Sequence, residues 1–167
     1  MYNELTEVDI RKMQEEIDYK TRVVRPKCIE DLQTARGFGD LSENYEYKAA
    51  KQELRRVDSR LRYLKRMIAT ARVIQTDSRE GVVGLFDRVE LYYEEDGETE
   101  TITLMTTLRE DAINGIISKE SPLGKAVMGR RVGETATVRV DGENSYTIKV
   151  LEIEKGSDDE SLPISAF

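Results

Sequence analysis

Two carboxylates three residues apart, Asp40 and Glu43, stand in the run Gly39-Asp40-Leu41-Ser42-Glu43-Asn44-Tyr45-Glu46-Tyr47. Oxygen donors of this kind suit a hard divalent cation, since Mg²⁺ at phosphoryl-transfer sites is held by one or two carboxylates while phosphates and waters complete its shell. Two carboxylates alone bind Mg²⁺ weakly, so the pair needs a partner that already supplies other ligands. That points to donation into another protein's active site. The same spacing also makes a capping box, with Asp40 as N-cap and Glu43 at the third helical position, and both acids suit a helix N-terminus through its dipole. Ser42 is an equally good N-cap and would release both acids. On spacing alone, capping is the commoner use.

Other chemistry is sparse. The 167 residues include no histidine and one cysteine, Cys28, which excludes the usual zinc sites and any internal disulfide. There is no Gly-rich phosphate loop and no Ser or Cys nucleophile in a supportive context, so no tightly bound cofactor is expected. Behind the acidic run, Lys48, Lys51, Arg55, Arg62 and Arg66 fall on neighbouring helical turns. They read either as a stripe that tracks a nucleic-acid backbone or as a solvated face paired with Glu15, Glu16, Glu30 and Asp31. Tyr45 and Phe38 could stack on an exposed base or pack around a turn.

The elements that must position these residues are two long helices. Thr6-Glu7-Val8-Asp9 reads as a helix start. From it, Ile10, Met13, Ile17, Thr21, Val24, Cys28, Leu32 and Ala35 form one stripe at spacings of three and four. Pro26 interrupts the amide ladder within that stripe and predicts a local bend. Gly37 suits a C′ position, with Phe38 folding back on Leu32. A second helix starting near Ser42 carries a heptad seam of Tyr47, Ala50, Leu54, Val57, Leu61, Leu64, Ile68 and Ala71. Two helices of about 30 residues joined by a short Gly-containing link must run antiparallel, giving an arm of roughly 45 Å.

After Ser78 the periodicity switches to two. Val89, Leu91 and Tyr93, then Ile102 and Leu104, read as strands around an Asp96-Gly97 turn. Ser121-Pro122 fits an N-cap with Pro at the first helical position, and Gly129 closes a two-turn helix. Ala136, Val138 and Val140 followed by Tyr146, Ile148 and Val150 read as a hairpin. The fold class is therefore α+β in two domains: residues 1–75 as an antiparallel α-helical coiled-coil hairpin with its acidic tip near 38–46, and residues 80–155 as an antiparallel sheet with a short helix. Residues 156–167, rich in Ser, Asp and Glu, read as a disordered acidic tail.

Composition agrees with an exposed arm: 38% hydrophobic, 35% charged and 7% aromatic. Residues 1–79 carry 17 basic against 14 acidic side chains, and residues 80–167 carry 9 against 19, within a net charge of −7. Such asymmetry suggests separate partners for the halves, or acidity that merely keeps the second half soluble. The polar start, Met1-Tyr2-Asn3-Glu4, reads as no signal peptide, and no apolar run approaches a membrane span. A cytoplasmic monomer is expected.

The run from Gly39 to Lys51 resembles the hairpin-tip signature of bacterial Gre factors, the transcript cleavage factors of RNA polymerase. Ser118-Lys119-Glu120-Ser121-Pro122-Leu123-Gly124-Lys125-Ala126, followed by Gly129-Arg130-Arg131-Val132-Gly133, is similar to that family's second-domain motif. The resemblance covers about residues 4–154. It implies an FKBP-like second domain docked on RNA polymerase core or elongation complex, through the motif that includes Ser121, Pro122, Leu123 and Gly124. The coiled coil would enter the secondary channel and meet the nascent RNA 3′ end. Asp40 and Glu43 would then help hold the second catalytic Mg²⁺, shared with polymerase, supported by Ser42 and Glu46. Tyr45, Lys48, Lys51 and Arg55 would contact RNA or polymerase. By this resemblance the chain is an accessory factor that activates polymerase's own RNA cleavage, and not itself an enzyme. A relative that only occludes the channel is the alternative. Family members typically carry His near Phe38 and often Ala at Tyr45, so the tip departs from them at two aromatics. Prolyl isomerase activity, which an FKBP-like fold raises, needs an aromatic-lined pocket that residues 80–155 poorly supply.

Overall fold

The computed structural model describes residues 3–39, 43–76 and 78–166. The chain divides into two compact units, Met1–Asn3 with Asp9–Arg72, and Glu4–Val8 with Val73–Phe167. In chain order the principal elements are β1 (Asn3–Leu5), α1 (Glu7–Tyr19), a π-helical turn (Lys20–Val24), α2 (Arg25–Arg36), α3 (Tyr45–Ala69) and β2 (Ala71–Val73). Then come β3 (Arg88–Tyr93), β4 (Glu98–Met105), β5 (Ile116–Ser118), α4 (Pro122–Val127), β6 (Thr135–Arg139) and β7 (Ser145–Glu154).

The first unit is a helical hairpin. Met13, Ile17, Cys28 and Ala35 are buried on one rod and Val57, Leu61 and Leu64 on the other, as spacings of three and four require of a single apolar stripe. Each fully buried aliphatic side chain contributes about 1.5–3 kcal/mol. Glu16 pairs with Arg60, Arg25 with Asp58, and the Ala35 carbonyl with Asn44. One number rises as its partner broadly falls, which only antiparallel helices produce. Burial pushes the Cys28 thiol pKa up, and nearby carboxylates, Glu53 first, push it the same way.

Pro26 leaves its mark one turn early. The Arg25 amide donates to the carbonyl of Lys20, five residues back, and Pro26 sits in the first turn of α2. Widening the turn gives the ring room and asks nothing of its missing N–H. The extra residue also rotates the stripe, so Thr21, expected on the seam, is exposed.

The second unit is built on a five-stranded sheet of order β5-β4-β3-β7-β6. β3 pairs antiparallel with β4 and β7, and β6 pairs antiparallel with β7. The short β5 adds one parallel pair with β4, so the sheet expected to be antiparallel is mixed at that edge. Alternate residues Val89, Leu91, Ile102, Leu104, Val138, Ile148 and Val150 are buried and pack with Val127 of α4. Val140, expected in the hairpin face, is exposed because β6 ends at Arg139.

The acidic tail, expected to be disordered, is folded onto this unit. The Arg109 guanidinium meets the Asp158 carboxylate at 2.5 Å, and the Ser165 amide donates to the Leu108 carbonyl at 2.7 Å. Leu162 packs against Leu85, Phe86 and Met105. Low hydrophobicity predicts disorder only where nothing else solvates the charges. Here a buried arginine receives the Asp158 carboxylate, and an apolar cluster receives Leu162.

Candidate functional site

The turn between α2 and α3 is organised by Asn44. Its side-chain oxygen accepts from the Tyr47 amide at 2.9 Å, which makes it the N-cap of α3. Its side-chain nitrogen donates to the Ala35 carbonyl at 2.6 Å, near the end of α2. One amide therefore closes both helix ends, satisfying an orphan donor and an orphan acceptor. The expected caps were Asp40 with Glu43, or Ser42. The structure gives that role to Asn44 instead. Asparagine is a standard capping residue whose side chain carries a donor and an acceptor on separate atoms, which is the signal that could have found it. Asn44→Ala is expected to cost about 1 kcal/mol or slightly more, read as a lowered denaturation midpoint of the hairpin.

Asp40, Leu41 and Ser42 lie outside the described residues. Glu43 is exposed and, among the described residues, makes no hydrogen bond or ion pair. Glu46 is exposed in the first turn of α3, where a carboxylate suits the helix dipole. Gly37 is not a left-handed cap: its φ is −69°, and the positive φ of the turn falls on Gly39 at +110°. Phe38 consequently does not fold back on Leu32 but stands 65% exposed, and Tyr45 is 81% exposed.

Cations surround this end. The Lys48 ammonium lies 5.6 Å from the Tyr45 ring, while the Arg36 guanidinium and the Lys51 ammonium lie 5.7 and 5.8 Å from that of Tyr47. A hydrogen bond from Arg36 holds the Tyr47 phenol below its ordinary pKa, helped by the charges of Lys51 and Arg55. Lys48, Lys51 and Arg55 are exposed and take part in no ion pair among the described residues. Three of the four carboxylates expected to neutralise the stripe have other cations: Glu16 takes Arg60, and Glu30 and Asp31 take Lys27.

The second motif is largely self-supporting. The Ser121 hydroxyl donates to the Ser118 carbonyl at 2.7 Å and accepts from the Gly124 amide at 3.0 Å, so it caps α4 with Pro122 in the first turn. Leu123 packs against the sheet core, and Gly124 is buried. Among the four residues expected to dock, Pro122 alone is exposed, Ser121 and Leu123 are half-buried and Gly124 is buried. Elsewhere in this unit a cleft of about 400 Å³ is lined by Ile74, Val83, Leu85 and Met128 with polar neighbours. Its described lining residues include no aromatic.

Residues 3–73 match the family profile described as "Transcription elongation factor, N-terminal", and residues 78–155 match "Transcription elongation factor, GreA/GreB, C-term". The chain belongs to the GreA/GreB family of transcription elongation factors. Transcription elongation factor GreA of Geobacillus kaustophilus is 39% identical over 150 residues, covering 89% of this chain and 94% of that protein. The Bacillus subtilis GreA is 36% identical over 143 residues, covering 86% and 90%. Among solved structures, GreA factor homolog 1 of Thermus thermophilus aligns over 93% of this chain and 100% of its own, at 24% identity and a TM-score of 0.43. The helical hairpin and the sheet unit of this GreA/GreB member are thus its two family domains. The folded segment beyond residue 155 lies past the matched region.

Proposed function

We propose that this GreA/GreB family member binds bacterial RNA polymerase, inserts its helical hairpin into the secondary channel and stimulates cleavage of backtracked nascent RNA. It would act as a cytoplasmic monomer and as an accessory to polymerase's own catalysis. The observation that carries this reading is the cap. Because Asn44 closes α3, Glu43 is left at the turn without a capping duty. Its carboxylate is exposed and can only accept, as a metal ligand should.

The donor set suits a shared ion, because two carboxylates alone bind Mg²⁺ weakly and need further ligands from a partner. Asp40 and Glu43 would add two oxygens to a Mg²⁺ that polymerase already holds in part. When bound, a second Mg²⁺ stabilises the attacking and leaving oxygens of phosphoryl transfer. Ser42 and Glu46 would orient the pair. Tyr45 would lie along the RNA, and Lys48, Lys51 and Arg55 would attract its phosphates. The α4 region, with Pro122 at its surface and Ser121, Leu123 and Gly124 shaping it, would dock on polymerase.

The test is to mix the purified protein with a backtracked elongation complex and Mg²⁺. The transcript is expected to shorten from its 3′ end faster than with polymerase alone. A protein that slows nucleotide addition and leaves the transcript uncut would replace this reading with channel occlusion.

A further inference from the structure

The segment past Lys155 is read residue by residue by the surface beneath it. At its root, the Gly156 amide donates to Asp87 at 3.1 Å, and a Cβ on Gly156 would lie 2.0 Å from the Phe86 carbonyl oxygen. No other residue fits so close an approach. Two residues on, Asp158 meets Arg109, whose side chain is fully buried. The same guanidinium donates to the Asp159 carbonyl at 3.1 Å and to the Thr6 hydroxyl at 3.4 Å, and lies 5.8 Å from the Phe86 ring. The second Asp158 oxygen accepts from the Thr6 hydroxyl at 2.9 Å. Leu162 then fills the apolar cluster of Leu85, Phe86 and Met105, and the Ser165 hydroxyl donates to the Glu110 carbonyl at 2.9 Å.

Two features mark the surface as a receptor rather than ordinary core. The segment has no helix or strand of its own. It is held by a glycine, a carboxylate, a leucine and a serine at fixed spacing. Phe86, central to the contact, is also the one described non-glycine residue with positive φ, +73°. Strain of that kind persists where a surrounding structure holds it, often at a ligand clamp.

We propose that the sheet unit carries a peptide-binding groove, centred on Arg109 and Phe86, that recognises an acidic segment of the pattern Gly-x-Asp-x-x-x-Leu-x-x-Ser. The chain fills the groove in cis with residues 156–165. The buried guanidinium supplies charge and fork geometry for one carboxylate, and the apolar cluster reads the leucine four positions later. Since Thr6 hydrogen-bonds the same carboxylate, groove occupancy also adds one tie to the segment just before α1. This inference does not depend on the cleavage reading.

The test uses the full chain with Asp158→Lys, which places a cation against Arg109 and ejects the segment. Hydrogen exchange of the Ser165 and Gly156 amides is expected to quicken at least about tenfold, while amides of β3 and β7 keep their protection. A fluorescein-labelled peptide of residues 155–166 should then bind the variant. It should bind wild type at least about tenfold more weakly, because the tethered segment competes at high effective concentration. The same peptide with asparagine in place of Asp158 should bind neither. Unchanged exchange at Ser165, equal peptide affinity for both proteins, or no peptide binding would overturn the proposal. Loss of sheet protection in the variant would also overturn it, making the segment part of the folding core.

Discussion

Asp40→Ala or Glu43→Ala is expected to lower stimulated transcript shortening about 100-fold or more while leaving affinity for polymerase nearly unchanged. The size follows from how metal sites fail, since even partners that only orient a ligand cost about 10–100-fold when removed. A lost ligand oxygen should cost no less. Affinity should survive because the pair is two side chains at a turn, whereas docking would draw on the sheet unit and the length of the hairpin. The Glu43 variant should also leave the hairpin's stability unchanged, because α3 is capped by Asn44. Cleavage rate on a stalled complex, polymerase affinity by competition, and the thermal midpoint together separate the roles. Full cleavage by the double variant would remove the tip acids from the reaction, and a fall in midpoint would return Glu43 to a capping role.

Gly124→Ala is expected to destabilise the sheet unit by about 3 kcal/mol, at the upper end for overpacking. The new methyl would lie 2.1 Å from the Ser118 carbonyl oxygen and 2.9 Å from the Lys119 Cα. Both are backbone atoms, and neither can swing aside. The Ser118 carbonyl is held further by the Ser121 amide at 3.0 Å and the Ser121 hydroxyl at 2.7 Å. At 2–4 °C per kcal/mol for a chain of this size, the melting temperature should fall by about 6–12 °C. A change under about 2 °C would show that the connection between β5 and α4 relaxes. Pro122→Ala is the companion measurement, because Pro122 is exposed in the same motif and exposed substitutions usually stay within about 0.5 kcal/mol. Polymerase affinity lost by that variant at unchanged stability would assign a docking contact, where Gly124→Ala could only assign a fold.

Much of this architecture is legible in the chain because its signals are local. The seam through Met13, Ile17, Val57, Leu61 and Leu64 is a matter of spacing within each helix, and the buried faces of β3, β4, β6 and β7 are a matter of alternation. Ser121-Pro122 announces α4 because cap and proline act on their own neighbours. Where a residue's partner is remote, the same reasoning misses. Asn44 reads as one more polar residue of a turn until the Ala35 carbonyl, nine positions earlier, is beside it. The π-helical turn before Pro26 is likewise a compromise between a missing amide and an apolar stripe that must still meet the second helix.

By itself, the sequence determined that a two-helix arm precedes a sheet unit, that it carries an acidic pair at its turn, and that the family is GreA/GreB. All of these rest on periodicity, turn chemistry and short contiguous strings. Only the tertiary structure decided which residue caps α3, which tip side chains are left exposed, and what becomes of residues 156–166. An acidic segment has no local reason to fold. Its order comes from Arg109, whose guanidinium needs a carboxylate once buried, and from an apolar cluster gathered from Leu85, Phe86 and Met105. Those groups lie about 50 to 80 positions away along the chain, and only the fold brings them to the tail.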